Sequence, residues 1–422
     1  MPNYDMIKKR AQELLDCHFE QFCQARHWLH SHPEQSGSEI ETSKWIAERL
    51  GRAGIEFQQE VGGYGVVAVV HGAPDGPVVA LRGDMDALEL EEKTGLPYSS
   101  VHRGLMHGCG HDFHAAGVLA VGEILAEMRD MLPGTVKLIF QPAEENGPTG
   151  GAVPMIRDGA LLNPDAEAIF GAHMFPELPL GKVAVVSGPA MAAVDNFKIW
   201  VVGRGGHAAA PHETIDPIPI ACEMVLAVNS AVARRLPPSE SAVVSFGRIS
   251  GGERRNIIPD TVELEGTVRT LTPETRQMLQ QLICRIGEDV CSMNGAEAEI
   301  RWIRSYDATV NDEKMAALAR RGIRGFCGRD ALWQTAHPYM TAEDFGYFLQ
   351  KIPGAFYWVG VREDTDMRLH SSYLRISDQA LYNLIRAHLG VLFEFFREQA
   401  EWKKETGPFD DSRENGISVA AE

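Results

Sequence analysis

The chain has 422 residues, 44% hydrophobic and 23% charged, with a formal net charge of −18 at pH 7. Its length exceeds one typical core and points to two domains, while the acidic surplus excludes a nucleic-acid binder, whose phosphate contacts need a basic face. No apolar run approaches the roughly 18 residues of a membrane span, and the first 22 residues lack the apolar centre of a signal peptide.

In chain order, residues 66–70 and 78–81 read as buried strands. Apolar residues then fall at Val118, Val121, Leu125, Met128 and Leu132. Those steps of three and four mark a helix with one buried face, stopped near Pro133-Gly134. Further strands are expected at 136–140, 168–172 and 355–361, so the frame is an α/β sheet. Between the last two the pattern changes. Strand 196–202, helix 217–235, strands 242–249 and 261–271, helix 272–294 and strand 298–303 follow the β-α-β-β-α-β order of a ferredoxin-like unit. The α/β pattern resumes beyond it, so this unit is expected as an insertion. The expected division is a first domain in two parts (1–189 and 305–405), an inserted domain (190–304) and a disordered polar tail (406–422). Seven scattered cysteines cannot all pair within the chain. A reducing, cytoplasmic setting is expected, with Cys109 available as a thiolate.

Polar residues gather just past the predicted strand ends: Asp84 and Asp86, Glu144 and Glu145, His173, and His370 nine residues beyond 355–361. Open α/β sheets bind ligands along that edge, so these side chains are expected to converge. Cys109 and His111 are two apart and share one side of an extended loop. A lone pair of this kind is more often incidental, and two consecutive glutamates are usually a solvated face. Together, thiolate, imidazole and carboxylate suit a divalent transition metal. If Glu144 and Glu145 are extended they point apart, so one can ligate while the other handles a proton, as metal-assisted hydrolysis requires. A second cluster, Gly203 to His212, fails as a phosphate loop and leaves His207 either in a tight glycine turn or presented to a substrate.

The segments MHGCGHDFHAAGVLA, FQPAEENGPTGGAVPMIRDGAL, GAHMFPELPLG, GRGGHAAAPHETIDPI, RNIIPDTVELEGTVRT and TAEDFGYFLQKIPG closely resemble the aminoacylase/carboxypeptidase superfamily of metallo-amidohydrolases. The nearest branch holds indole-3-acetyl-amino-acid hydrolases, hippurate hydrolases and N-acyl-amino-acid deacylases, and the resemblance runs from about His27 to His388. It implies a mixed-sheet, zinc-peptidase-like catalytic domain with an inserted ferredoxin-like lid that also dimerises. It implies that Cys109, His111, Glu145, His173 and His370 hold two divalent ions, with Mn or Zn expected and Ni or Co able to substitute. It also implies that Glu144 is the general base and that Asp86 orients a ligating histidine. His207 would reach across a homodimer to the scissile carbonyl, and Asn256 and Arg269 would face the substrate. Gly108 stands where alanine is usual, and residues 369–373 lack the Asn-Pro that often follows the last histidine. The implied activity is hydrolysis of the amide of N-acyl amino acids, with no nucleic-acid or membrane partner. A dipeptidase or carboxypeptidase on the same site, a hydrolase with Cys109 as nucleophile, and a non-catalytic binding protein are the competing readings.

Overall fold

The computed structural model describes residues 3–148, 150–334, 337–363 and 365–406, so the expected tail lies, but for Thr406, outside the described residues. Helix α1 (Tyr4–Ser31) starts at Asn3, whose side chain accepts from the Met6 amide and so satisfies one of the orphan donors of the first turn. Helix α2 (Ile40–Arg52) leads into β1 (Glu56–Val61), β2 (Gly65–Val70) and β3 (Val78–Asp84). Helix α3 (His111–Glu127), β4 (Thr135–Gln141), α4 (Ala152–Arg157) and β5 (Ala168–Pro179) follow. Two short strands, β6 (Val183–Ala184) and β7 (Gly188–Met191), precede β8 (Ala193–Val202), β9 (Gly206–His207) and α5 (Pro217–Arg235). Next come β10 (Ala242–Ser250), β11 (Ile257–Ile258), β12 (Thr261–Thr270), α6 (Pro273–Met293) and β13 (Glu297–Arg304). The chain closes with β14 (Thr309–Asn311), α7 (Glu313–Cys327), α8 (Gly346–Leu349), β15 (Gly354–Arg362) and α9 (Gln379–Thr406).

A seven-stranded mixed sheet has the order β1-β2-β4-β3-β5-β15-β6. Its centre, β4-β3-β5-β15, is parallel, and antiparallel strands flank it. Parallel strands are covered on both faces, which is why β4 is buried along its whole length. Helix α3 lies deep against this sheet, with α1 and α9 packed over it, and residues from His111 to Ala126 are almost all buried. The helix ends at Glu127, earlier than its periodicity suggested, because Arg129–Met131 tighten into a 3₁₀ turn. Strand β5 runs seven residues beyond the expected 172, to Pro179.

Residues from β8 to β13 form a four-stranded antiparallel sheet, order β10-β12-β8-β13, with α5 and α6 against it. Their core is separate and includes Phe197, Ile199, Met224, Leu264 and Ile283. Both helices start as their sequences dictate, Asp216 and Thr272 capping and a proline following each. Arg276 ties the ends of this unit together, donating to the Val194 carbonyl at 3.0 Å and to both Asp195 oxygens at 2.6 and 3.0 Å. Among the described residues no helix is long and apolar enough to cross a membrane.

Candidate active site

Asp84 closes β3, and Asp86 follows it into the edge of the sheet; both carboxylates are buried. Gln141 closes β4, and the chain turns through Ala143 to Glu144 and Glu145. Ala143 has φ of 58°, a left-handed conformation that costs a non-glycine residue about 1–2 kcal/mol. Two bonds hold that turn: the Ala143 amide donates to Glu39 Oε1 at 2.8 Å, and the Tyr306 hydroxyl donates to the Glu144 carbonyl at 2.5 Å. Gly110, with φ of 93°, lets the loop carrying Cys109 turn directly into α3, so that His111 opens the helix.

Asp86 joins these pieces. Its Oδ1 accepts from His111 Nδ1 at 3.0 Å, and its Oδ2 accepts from Ser36 Oγ at 2.6 Å and the Glu145 amide at 2.9 Å. The bond at Nδ1 leaves His111 Nε2 buried and without a partner. His173 is arranged the same way: Nδ1 donates to the Met174 carbonyl at 2.7 Å, and Nε2 lies 3.4 Å from Cys109 Sγ. Burial, with His114 and His111 beside it, holds the His173 pKa well below the usual imidazole range and keeps the ring neutral. His370, also left-handed at φ 57°, donates its amide to the Gly108 carbonyl at 2.8 Å and sets Nε2 3.2 Å from Glu145 Oε1. An alanine at Gly108 would bring its methyl to 3.0 Å from Leu90 Cδ2, a contact the end of that side chain can yield.

Three overlapping groups have ligand atoms within 4.8 Å of one another: Cys109, His111 and His173; Cys109, Glu145 and His370; His111, Glu144 and Glu145. The five expected ligands therefore lie in one cluster, drawn from α3, β5 and three loops. Their chemistry fits divalent transition ions, and the orphaned His111 Nε2 is what such an ion would satisfy. Burial pushes the Cys109 thiol up to about 12, away from the thiolate that a cysteine nucleophile would need. That weighs against the cysteine-hydrolase reading.

Beneath the cluster lies a buried Arg82. It donates to Gln141 Oε1 at 2.8 Å, Asp84 Oδ2 at 2.6 Å, and Glu343 Oε1 and Asp344 Oδ1, each at 2.9 Å. His114 Nδ1 donates to the other Asp84 oxygen at 2.6 Å, while its Nε2 accepts from the Met174 amide at 2.9 Å, steadying the strand next to His173. Glu144 is 6% exposed; burial, then Glu343, Glu145 and Asp344, raise its pKa well above the usual carboxylate range. None of Arg82, His114, Glu343, Asp344 and Tyr306 was singled out from the sequence, although all but Arg82 and Tyr306 sit inside the quoted motifs.

A cavity of about 670 Å³ opens over Cys109, Glu144, Glu145, His173 and His370. Phe175, Met191 and Val194 give it apolar walls, and Arg269 of β12 lines it with a side chain that makes no hydrogen bond or ion pair to another described residue. His207 and Asn256 are not among the residues lining it. They sit side by side on the exposed β9–β11 ribbon, where His207 pairs with Ile257 and the Ala208 amide donates to the Asn256 carbonyl at 3.2 Å. A single chain thus brings Arg269 to the site and leaves His207 and Asn256 outside it.

The sequence pattern of peptidase family M20/M25/M40 matches residues 80–394. The chain is 41% identical over 343 residues to the N-acetyl-L-cysteine deacetylase of Bacillus subtilis (strain 168), covering 81% of this chain and 80% of that relative. It is 37% identical over 396 residues to thermostable carboxypeptidase 1 of Saccharolobus solfataricus, covering 93% and 99%. The crystal structure of a Bacillus subtilis protein described as a dinuclear metal binding peptidase from the M20 family matches with a TM-score of 0.79 and 34% identity, over 90% of this chain and 99% of that one.

Proposed function

The chain belongs to peptidase family M20/M25/M40, and from that premise we propose that it is a two-metal amidohydrolase cleaving N-acyl amino acids to a carboxylic acid and an amino acid. The observation that carries the reading is the cluster of five donors with Glu144 buried beside it and the unpaired Arg269 in the same cavity. Cys109, His111, Glu145, His173 and His370 would hold two divalent ions; the thiolate leans toward Zn, while the imidazoles and carboxylate accept Mn, Ni or Co. Such ions supply acidification of a water and polarisation of the amide carbonyl.

The remaining work falls to the chain. Glu144 takes the proton of the attacking water and returns it to the leaving amine; its raised proton affinity suits that exchange. Asp86 fixes the His111 ring and, through the Glu145 amide, the loop opposite it. Arg269 is placed to receive the substrate carboxylate, a charge-assisted pairing that its solitary position favours. His207 and Asn256 would be supplied by a second copy in a homodimer formed through the residues from β8 to β13. There they would donate to the carbonyl oxygen as it gains charge, a role typically worth about 10²–10³ in kcat. Seven free cysteines fit a reducing, cytoplasmic setting.

Glu144→Gln tests the assignment, because it preserves shape and removes the base. The expected result is a protein that retains its metal by elemental analysis and loses turnover by about 10²–10⁴; wild-type-like hydrolysis would overturn the role. Chelation should abolish activity, and added Mn or Zn should restore it. A carboxypeptidase reading uses the same site, and one relative carries that name. Dipeptides assayed beside N-acetyl- and N-benzoyl-amino acids separate the two.

A further inference from the structure

Two cavities meet at the metal-ligand cluster. The larger contains Glu144 and Arg269. The second, about 380 Å³, is walled by Gln35, Ser36, Leu88, Glu89, Leu90 and Asn146. Both include Glu145 and His370 in their walls, so the pair forms the sill between them.

Covalent geometry assigns the parts of a substrate to these two spaces. In an N-acyl amino acid the carboxylate lies on the nitrogen side of the scissile bond and the acyl chain on the carbon side. With the carboxylate on Arg269, the nitrogen side fills the larger cavity and the carbonyl stands beside Glu144. The acyl chain then leaves the carbonyl in the opposite direction, across Glu145 and His370. We infer that the second cavity is the acyl subsite and that it takes an uncharged acyl group of about ring size. This rests on the amidohydrolase reading above. Its volume lies within the roughly 300–1,000 Å³ common for small-molecule sites. Leu88 and Leu90 offer apolar surface, and the amides of Gln35 and Asn146 offer hydrogen bonds to a polar substituent. Among the described residues lining it there is no lysine or arginine, and Glu89 is acidic, so a dicarboxylic acyl group would meet repulsion without a partner.

The test compares metal-loaded enzyme on N-acetyl-, N-benzoyl- and N-succinyl-L-alanine. Gln35 is exposed at the cavity wall, so its side chain can be changed without touching the core. Gln35→Trp fills the space and should lower the benzoyl-to-acetyl ratio of kcat/KM by about tenfold. Gln35→Lys supplies a cation and should raise the succinyl-to-benzoyl ratio by roughly fivefold or more. Ratios that stay within about twofold of wild type in both variants would overturn the subsite. A wild-type enzyme that cleaves none of the three substrates would instead sink the amidohydrolase reading itself.

Discussion

The floor of the candidate site and the ribbon that carries His207 are built on opposite terms. On the floor, the charged groups hold one another: Arg82 pairs with Gln141, Asp84, Glu343 and Asp344, and Asp86 with Ser36, His111 and Glu145. On the ribbon, His207 and Asn256 are exposed, and apart from the Ala209 amide at 3.0 Å the His207 ring meets no described partner. The floor is shaped by its own burial, since an unpaired charge there is too costly to leave. The ribbon is under no such demand, and its exposed side chains are free for the partner role proposed for them above. The difference teaches where stability and activity separate.

The sharpest way to break that contrast is to remove the Arg82 guanidinium from the floor. Arg82→Met leaves Asp84, Glu343 and Asp344 buried without their shared cation and should cost about 3–5 kcal/mol in urea unfolding. A loss under about 1 kcal/mol would mean the carboxylates are neutralised another way. Next in size, His207→Ala should leave stability within about 0.5 kcal/mol, as expected for an exposed side chain. It should nevertheless lower kcat by about 10²–10³. Mixing this variant with Glu144→Gln should restore activity if His207 of one protomer serves the site of its partner; two inactive proteins that stay inactive together would count against the crossing. The smallest effect concerns the far wall of α3, where His30 donates to Asp112 at 2.8 Å. Burial alone would lower the His30 pKa, but Asp112 and Glu92 raise it to about 9. A raised pKa means the paired charge stabilises fully below the unfolded value of about 6.5 and is lost as pH rises through about 9. His30→Gln should flatten the fall in unfolding free energy between those pH values; an unchanged slope would show that another group sets it.

Much of the site was legible because its ligands come in short contiguous pieces. Cys109 and His111 carry their meaning in their spacing, and strand periodicity places Glu144 and Glu145 just past a strand end. The order of strands and helices from 196 to 303 was readable for the same reason, since each element follows its own period and cap. What stayed hidden depends on contacts across the sheet. Nothing local marks Arg82 as the cation for Glu343, because that pairing requires β3 to lie between β4 and β5. Nothing local marks Ala143 or His370 as left-handed, because neither is glycine and the conformation is imposed from outside. The same holds for Tyr306, which reaches Glu144 from the end of β13, across 162 residues of sequence.

Those long separations set an order of assembly on a chain made from its N-terminus. Arg82 leaves the ribosome with its Asp84 partner in hand, but Glu343 and Asp344 arrive 261 and 262 residues later. The whole stretch from β8 to β13, with a core of its own, is synthesised in the interval and can collapse first. The floor of the candidate site therefore cannot close before residue 344 is made, and a nascent chain stalled before residue 343 carries Cys109, His111, Glu145 and His173 on an unfinished support. Acquisition of the ions would then follow translation of the C-terminal third, so that a truncated product stays inert.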